Sequence, residues 1–334
     1  MDSIKIRLKK ITQILLGSED NYGIIKKASD ELYDLFIEIS EVDEEGELNK
    51  IDYILPDGKV KDTIWASMCM KEFIRTKRFI SGIYKAIKQA QLHFPKVPIY
   101  ILYAGTGPFG VLLITLTSMF TSKDIRITML EMNKDSVSCL KKVIHALEVE
   151  AYIEEIITCD AACYKVNPLK PIHMVVAETM QNGLKKKPQV AITRNLVPQM
   201  VKGGILIPEH ISIDAVLFDY KKYMEWMMGD EGAEKEFYYP LKTIFNLDKE
   251  SVLDEDLFDE LYANLPEIME DRYKKVCLFT KIQVFGTETL TFQQSSLNLP
   301  LQILDIEGRK DSGSQVSHWY QTKSFLFNWE YLFD

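Results

Sequence analysis

The sequence predicts an α/β protein: a doubly wound, mostly parallel sheet with an N-terminal helical cap and a C-terminal α+β, partly barrel-like domain. Three observations predict it. Strand-like runs at 99–103, 125–132, 151–158 and 172–177 alternate with helical patterns, and fully apolar strands such as those at 99–103 and 172–177 belong to a parallel sheet covered on both sides. The first run leads into a glycine-rich loop, Gly105-Thr106-Gly107-Pro108-Phe109-Gly110, and then into an apolar helix. The texture changes on either side, before Pro98 and after His210. The expected divisions are 1–95 for the cap or lid, 96–208 for the cofactor domain and 209–334 for a β-rich substrate and dimerisation domain.

Residues 1–50 place Ile4, Leu8, Ile11, Ile14 and Leu15, then Leu32, Leu35, Phe36 and Ile39, at helical spacing. An acidic stretch at 41–47 and a turn signal at Asp57-Gly58 follow. A helix is expected from about 64 to 91, carrying Met68, Phe73, Ile74, Phe79, Ile83 and Ile87. Past the glycine loop, helices are expected at 111–120, after 132 through Leu147, and at 189–201. Lys202-Gly203-Gly204 then turns into a run ending at Pro208.

Beyond His210 the alternation at 211–218 reads as a strand. Residues 229–272 hold 14 Asp and Glu against 4 Lys and Arg, so exposed helices are expected there. The segments 277–285, 290–294 and 317–327 read as strands. Tyr220, Tyr223, Trp226, Phe237, Tyr238 and Tyr239 either line a substrate pocket or pack the domain.

Composition narrows the function. A hydrophobic share of 46% in 334 residues supports a substantial core. The net charge of −9 argues against nucleic acid as the main partner. No run has the length of a membrane span, and no signal-peptide pattern precedes the first helix. Five scattered cysteines point to a reducing, cytoplasmic setting. Cys159 and Cys163 are four apart, but no second pair supports them, so no metal site is expected.

The loop from Gly105 to Gly110 fits the G-x-G-x-x-G dinucleotide fingerprint, and Glu131 ends the next strand where a carboxylate grips ribose hydroxyls. NAD and S-adenosylmethionine enzymes share both features. Three others favour S-adenosylmethionine: the helices ahead of the loop, the helix–Gly-Gly–strand order at 189–208, and Pro108, which removes a backbone donor that a pyrophosphate would use.

Over 64–208 the chain resembles the protein arginine methyltransferase group of class I methyltransferases. Met70-Lys71-Glu72-Phe73-Ile74-Arg75-Thr76 is similar to that family's M/L-K-D-x-V-R-T, Leu130-Glu131-Met132-Asn133 to its V-E-M-S, and Ala177-Glu178-Thr179-Met180 to its S-E-x-M. The resemblance implies that S-adenosylmethionine is held by Arg75, Tyr103, Gly105, Thr106, Gly107, Glu131, Met132, Asp160, Ala161 and Glu178. In that assignment Arg75 takes the cofactor carboxylate and Asp160 the adenine amine. Ser317-His318-Trp319-Tyr320-Gln321-Thr322 is similar to the family's T-H-W-K-Q-T, which makes His318 a catalytic candidate beside Glu178. The resemblance also implies a homodimer.

One departure bears on the acceptor. The family sets a second glutamate nine residues after the first to hold a guanidinium. Here that position is Lys187, which repels one. The expected activity is therefore methyl transfer to a nitrogen or oxygen of a small molecule or modified amino acid. The alternatives are an arginine methyltransferase acting on peptide or free arginine, a catalytically silent protein that binds S-adenosylmethionine, and an NAD-dependent oxidoreductase.

Overall fold

A computed structural model describes residues 2–18, 20–42, 53–55, 58–60, 67–185, 188–229, 236–254, 261–264, 272–306, 315–321 and 326–332. The acidic run at 41–47 lies mostly outside them, and Lys187 lies wholly outside.

Helices α1 (Asp2–Leu16) and α2 (Tyr22–Ser40) come first. Asn21 caps α2, its side-chain oxygen accepting from Ile24 N at 3.2 Å. Leu8, Ile11 and Leu15 of α1 and Leu32, Leu35 and Phe36 of α2 are buried, as their spacing predicts. A hairpin of β1 (Tyr53–Leu55) and β2 (Gly58–Val60) pairs Leu55 with Gly58. Helix α3 spans Phe73–His93. The helix expected from about 64 is interrupted: Ser67 and Met68 are helical, and a 3₁₀ turn at Cys69–Lys71 separates them from α3. The reason is local: the Met70 carbonyl accepts from the hydroxyls of Ser29 at 2.7 Å and Thr76 at 3.0 Å, bonds that replace a continuing helical ladder.

The parallel sheet is built from β3 (Ile99–Ala104), β4 (Ile125–Glu131), β5 (Ile153–Thr158), β6 (Met174–Ala177) and β7 (Ile205–Ile207), in the order β5-β4-β3-β6-β7. Ile101 lies opposite both Ile127 and Met174, in an apolar centre. Between the strands run α4 (Val111–Ile114), α5 (Lys134–Ala146) and α6 (Gln189–Leu196). Two of these are shorter than the pattern suggests. After α4 the chain tightens into a 3₁₀ turn at Thr115–Ser118, where the Thr117 hydroxyl bonds back to Ile114 O at 2.7 Å. α6 likewise gives way to a 3₁₀ turn at Val197–Gln199, because Pro198 has no amide to donate.

The C-terminal part comprises β8 (His210–Phe218), α7 (Tyr220–Met227), β9 (Tyr238–Asp248), β10 (Leu261–Asn264), β11 (Lys275–Phe285), β12 (Glu288–Leu290), β13 (Leu301–Asp305), β14 (Gln315–Gln321) and β15 (Leu326–Leu332). An antiparallel sheet runs β12-β11-β8-β9 with β13 along β11, and β10-β14-β15 forms a second sheet.

Three expectations are corrected here. The described residues of 229–272 contain strands β9 and β10 and a 3₁₀ turn in place of exposed helices. β9 pairs along β8, with Ile213 opposite Phe245 and Ile211 opposite Leu247, and buries Ile244, Phe245 and Leu247. The acidic flanks mask this short apolar pattern. The stretch 317–327 is two strands, β14 and β15, paired with His318 opposite Trp329. At 290–294 the strand is β12, ending at Leu290, and Thr291 to Gln294 turn back through a Gln294 N to Thr291 O bond of 3.1 Å.

Of the six aromatic residues, Tyr223, Trp226 and Phe237 pack the domain. Phe218, Tyr223, Trp226, Phe237, Phe279 and Phe292 form one ring cluster, while Tyr220, Tyr238 and Tyr239 stay exposed. Helix α3 joins the two halves. A Cβ on Gly82 would stand 2.5 Å from Val284 Cγ1 on β11, so only glycine permits this approach. Arg78 Nη1 also donates to Glu288 Oε2 on β12 at 3.0 Å. No helix among the described residues is long and apolar enough to cross a membrane.

Candidate functional site

The strand order reverses beside β3: the chain runs outward through β4 to β5, then crosses back to β6 on the other side of β3, and a crevice opens beyond the strands' carboxyl ends. It holds roughly 1090 Å³ of empty space, counting its open mouth. Arg75, Tyr103, Gly105, Thr106, Gly107, Glu131, Met132, Asp160, Ala161 and Glu178 all line it. These residues come from α3 and from the ends of four strands, so the topology alone brings them together. His318 falls on β14, a strand described by its backbone alone.

The floor is the glycine loop. Gly105 has φ +72°, a left-handed conformation that suits glycine. A Cβ there would meet Thr179 Cγ2 at 2.2 Å. Thr179 cannot easily yield, because its amide and hydroxyl both donate to Gln189 Oε1 at 3.0 Å. Gln189, at the start of α6, is buried. Sequence reasoning missed it, since no motif marks a glutamine twelve residues beyond the strand.

Glu131 ends β4 and is buried, with its carboxylate accepting from Gly107 N at 2.7 Å and Asn133 N at 2.9 Å. Two backbone donors thus orient the acid toward the loop. Asn133 then caps α5 through Asp135 N and Ser136 N. Asp160 Oδ1 accepts from Ala162 N at 2.9 Å, which shapes the turn after β5. Asn195 braces that turn, donating to the carbonyls of Ala161 at 2.9 Å and Tyr164 at 2.8 Å.

Arg75 is 7% exposed, so it is not a solvated charge on the helix surface. Its Nη1 donates to Glu72 Oε2 at 2.7 Å, and its Nη2 to Glu178 Oε1. Burial works against the guanidinium's charge, but Glu178, Cys69 and Glu72 outweigh it and hold the group more firmly protonated than a free arginine. Glu72 also accepts from Ser296 N at 2.9 Å, a contact from the C-terminal half. Burial opposes its ionisation, yet the Arg75 charge and the Ser296 bond keep its carboxyl below the ordinary value.

Tyr103 is buried at the end of β3. Burial first, then the charges of Glu178 and Glu131, push its phenol well above the usual range, so it stays neutral and able to donate. Cys159 also lines the crevice, its thiol raised to about 11 by burial and by Asp160 and Glu131. Met70, Phe79, Leu112 and Ile192 complete an apolar wall. The site is therefore one buried guanidinium, carboxylates at the cavity wall, a glycine-lined floor and an apolar side, a combination that suits a nucleoside bearing an amino-acid tail.

No protein-family model matches the chain. No curated protein matches it in sequence. Among solved structures, it is similar to a Trypanosoma brucei PRMT1 enzyme–prozyme heterotetrameric complex with AdoHcy. The TM-score is 0.51 at 11% identity, over 80% of this chain and 92% of that chain. The shared feature is the fold: a five-stranded parallel α/β sheet with flanking helices, followed by an antiparallel sheet.

Proposed function

We propose that the protein is an S-adenosylmethionine-dependent methyltransferase acting on a nitrogen or oxygen of a small molecule or modified amino acid. The observation that carries this reading is the convergence of Arg75, Gly105, Gly107, Glu131, Asp160 and Glu178 on one crevice. A structure of similar fold was solved with AdoHcy, which supports the same choice of cofactor.

The donor set fits the cofactor's parts. Arg75 presents a fixed planar guanidinium for a carboxylate. Glu131, already aimed by two amides, has the chemistry to accept ribose hydroxyls, and Asp160 on the crevice wall has the chemistry to accept from an exocyclic amine. The backbone at Gly105 to Gly107 permits close approach. Held by these residues, the cofactor would supply a methyl activated on a sulfonium, with the sulfur as the leaving group for the acceptor's lone pair.

The protein's own share is orientation and charge. The apolar wall excludes water from the reacting face. Glu178 orients the acceptor and receives the proton that a nitrogen or oxygen sheds on methylation. In this reading 1–95 acts as the lid, 96–208 holds the cofactor, and 209–334 shapes the acceptor side and a homodimer contact. His318 is a second catalytic candidate on that side.

The test is incubation with S-adenosylmethionine labelled in its methyl group and a panel of amines, hydroxy acids, modified amino acids, free arginine and arginine peptides, read by mass spectrometry. Label on a small acceptor is the expected result. Label on arginine alone would replace the proposed acceptor with arginine. Calorimetry showing no affinity for S-adenosylhomocysteine would overturn the reading as a whole.

A further inference from the structure

Arg75 is the cation expected to receive the cofactor's carboxylate, yet both of its terminal nitrogens are already engaged by acids of this chain. One guanidinium faces two carboxylates, so the trio carries a net charge of −1. A third carboxylate brought in beside them competes with the two residents for the same guanidinium, in a site where the side chains of Arg75 and Glu178 are 8% and 15% exposed. The incoming group gains the open face of Arg75 where one resident acid gives way.

The two residents differ in how firmly they are held. Glu72 is anchored twice, by Arg75 and by Ser296 N from the C-terminal half, and it sits just ahead of α3. Among the described residues, Arg75 is the sole hydrogen-bond partner of the Glu178 carboxylate. Glu178 also lies directly on the cavity wall, on the segment that leaves β6.

We propose that Glu178 is an internal stand-in for the cofactor's carboxylate. In the free protein it covers Nη2 of Arg75; cofactor binding exchanges one carboxylate for the other, and the released Glu178 turns to the acceptor. This inference rests on the methyltransferase reading above. It gives Glu178 two successive roles and makes the acceptor-facing acid available only once the cofactor is in place. It also carries a counter-intuitive consequence: removing the negative charge of a residue in the active site should tighten cofactor-product binding, because the incoming carboxylate no longer displaces a rival.

The experiment is calorimetry of the full chain and of its Glu178→Gln and Glu178→Ala variants with two probes. S-adenosylhomocysteine has an amino-acid carboxylate. 5′-Methylthioadenosine keeps the nucleoside and the thioether but has no amino-acid part. The quantity read is the ratio of the two affinities, which cancels any general damage to the pocket. The expected result is a ratio shifted about tenfold toward S-adenosylhomocysteine in Glu178→Gln, with Glu178→Ala shifting in the same direction. A ratio unchanged or shifted the other way in both variants overturns the stand-in role while leaving the cofactor assignment intact. Wild-type protein that binds neither probe overturns both.

Discussion

Replacing Gly105 by alanine tests how the floor of the crevice is built. Two costs add. The residue sits at φ +72°, and an L side chain held there costs roughly 1–2 kcal/mol. The new Cβ would stand 2.2 Å from Thr179 Cγ2, and relieving such overpacking typically costs about 1–3 kcal/mol. Thr179 cannot step aside without losing one or both bonds to Gln189. The expected loss is therefore about 2–5 kcal/mol. With an unfolding entropy near 0.7 kcal/mol/K for a chain this long, the melting temperature should fall by roughly 3–7 °C. S-adenosylhomocysteine affinity should fall with it, because the loop backbone and Glu178 share this corner. Thermal denaturation and calorimetry read the two effects. The Thr179→Ser background separates the costs: removing Cγ2 should recover the steric part and leave the backbone part. If Gly105→Ala melts within about 1 °C of wild type and binds the ligand equally well, the account of the floor is wrong.

Other perturbations follow from the same geometry. Glu131→Ala should strip the amides of Gly107 and Asn133 of their acceptor, cost about 2–5 kcal/mol in denaturant melts, and abolish S-adenosylhomocysteine binding by calorimetry. Asn133→Ala removes the cap of α5 and should cost about 1 kcal/mol while leaving most of that binding intact. His173 accepts from Tyr100 N through Nδ1 at 3.0 Å, and burial lowers its pKa below the ordinary 6.5. The unfolded chain therefore takes up this proton first, so the stability His173 contributes is complete above pH 6.5 and is lost as pH falls through the folded value. Urea midpoints between about pH 5 and pH 8 should show the advantage of wild type over His173→Asn shrinking toward the acid end. A difference that stays constant over that range would exclude the histidine as its source.

Much of the parallel-sheet half was legible because its signals are local. Strands buried on both faces read as continuous apolar runs, and a tight strand-to-helix turn requires glycine, so β3, β4, β6 and the loop at Gly105 stand out without a partner in view. The same holds for Glu131, fixed to the end of its own strand. The C-terminal half was less legible. Its strands pair over long separations, and β9 borrows its conformation from β8 across a densely acidic surrounding, so residue composition pointed to helices.

Sequence by itself determined the parallel α/β framework, the position of the glycine loop and which acidic and basic residues stand at strand ends and on α3. Tertiary structure alone decided what those charges face. Arg75 could be read as an exposed partner of Glu72 or as a ligand group, and only the packing of α3 against the sheet buries it between Glu72 and Glu178. Gln189 and Ser296, which hold Thr179 and Glu72 in place, gained their roles the same way. Spacing along a chain fixes neighbours within one element, but the partner of a buried charge is chosen by the fold, which must satisfy that charge once water is gone.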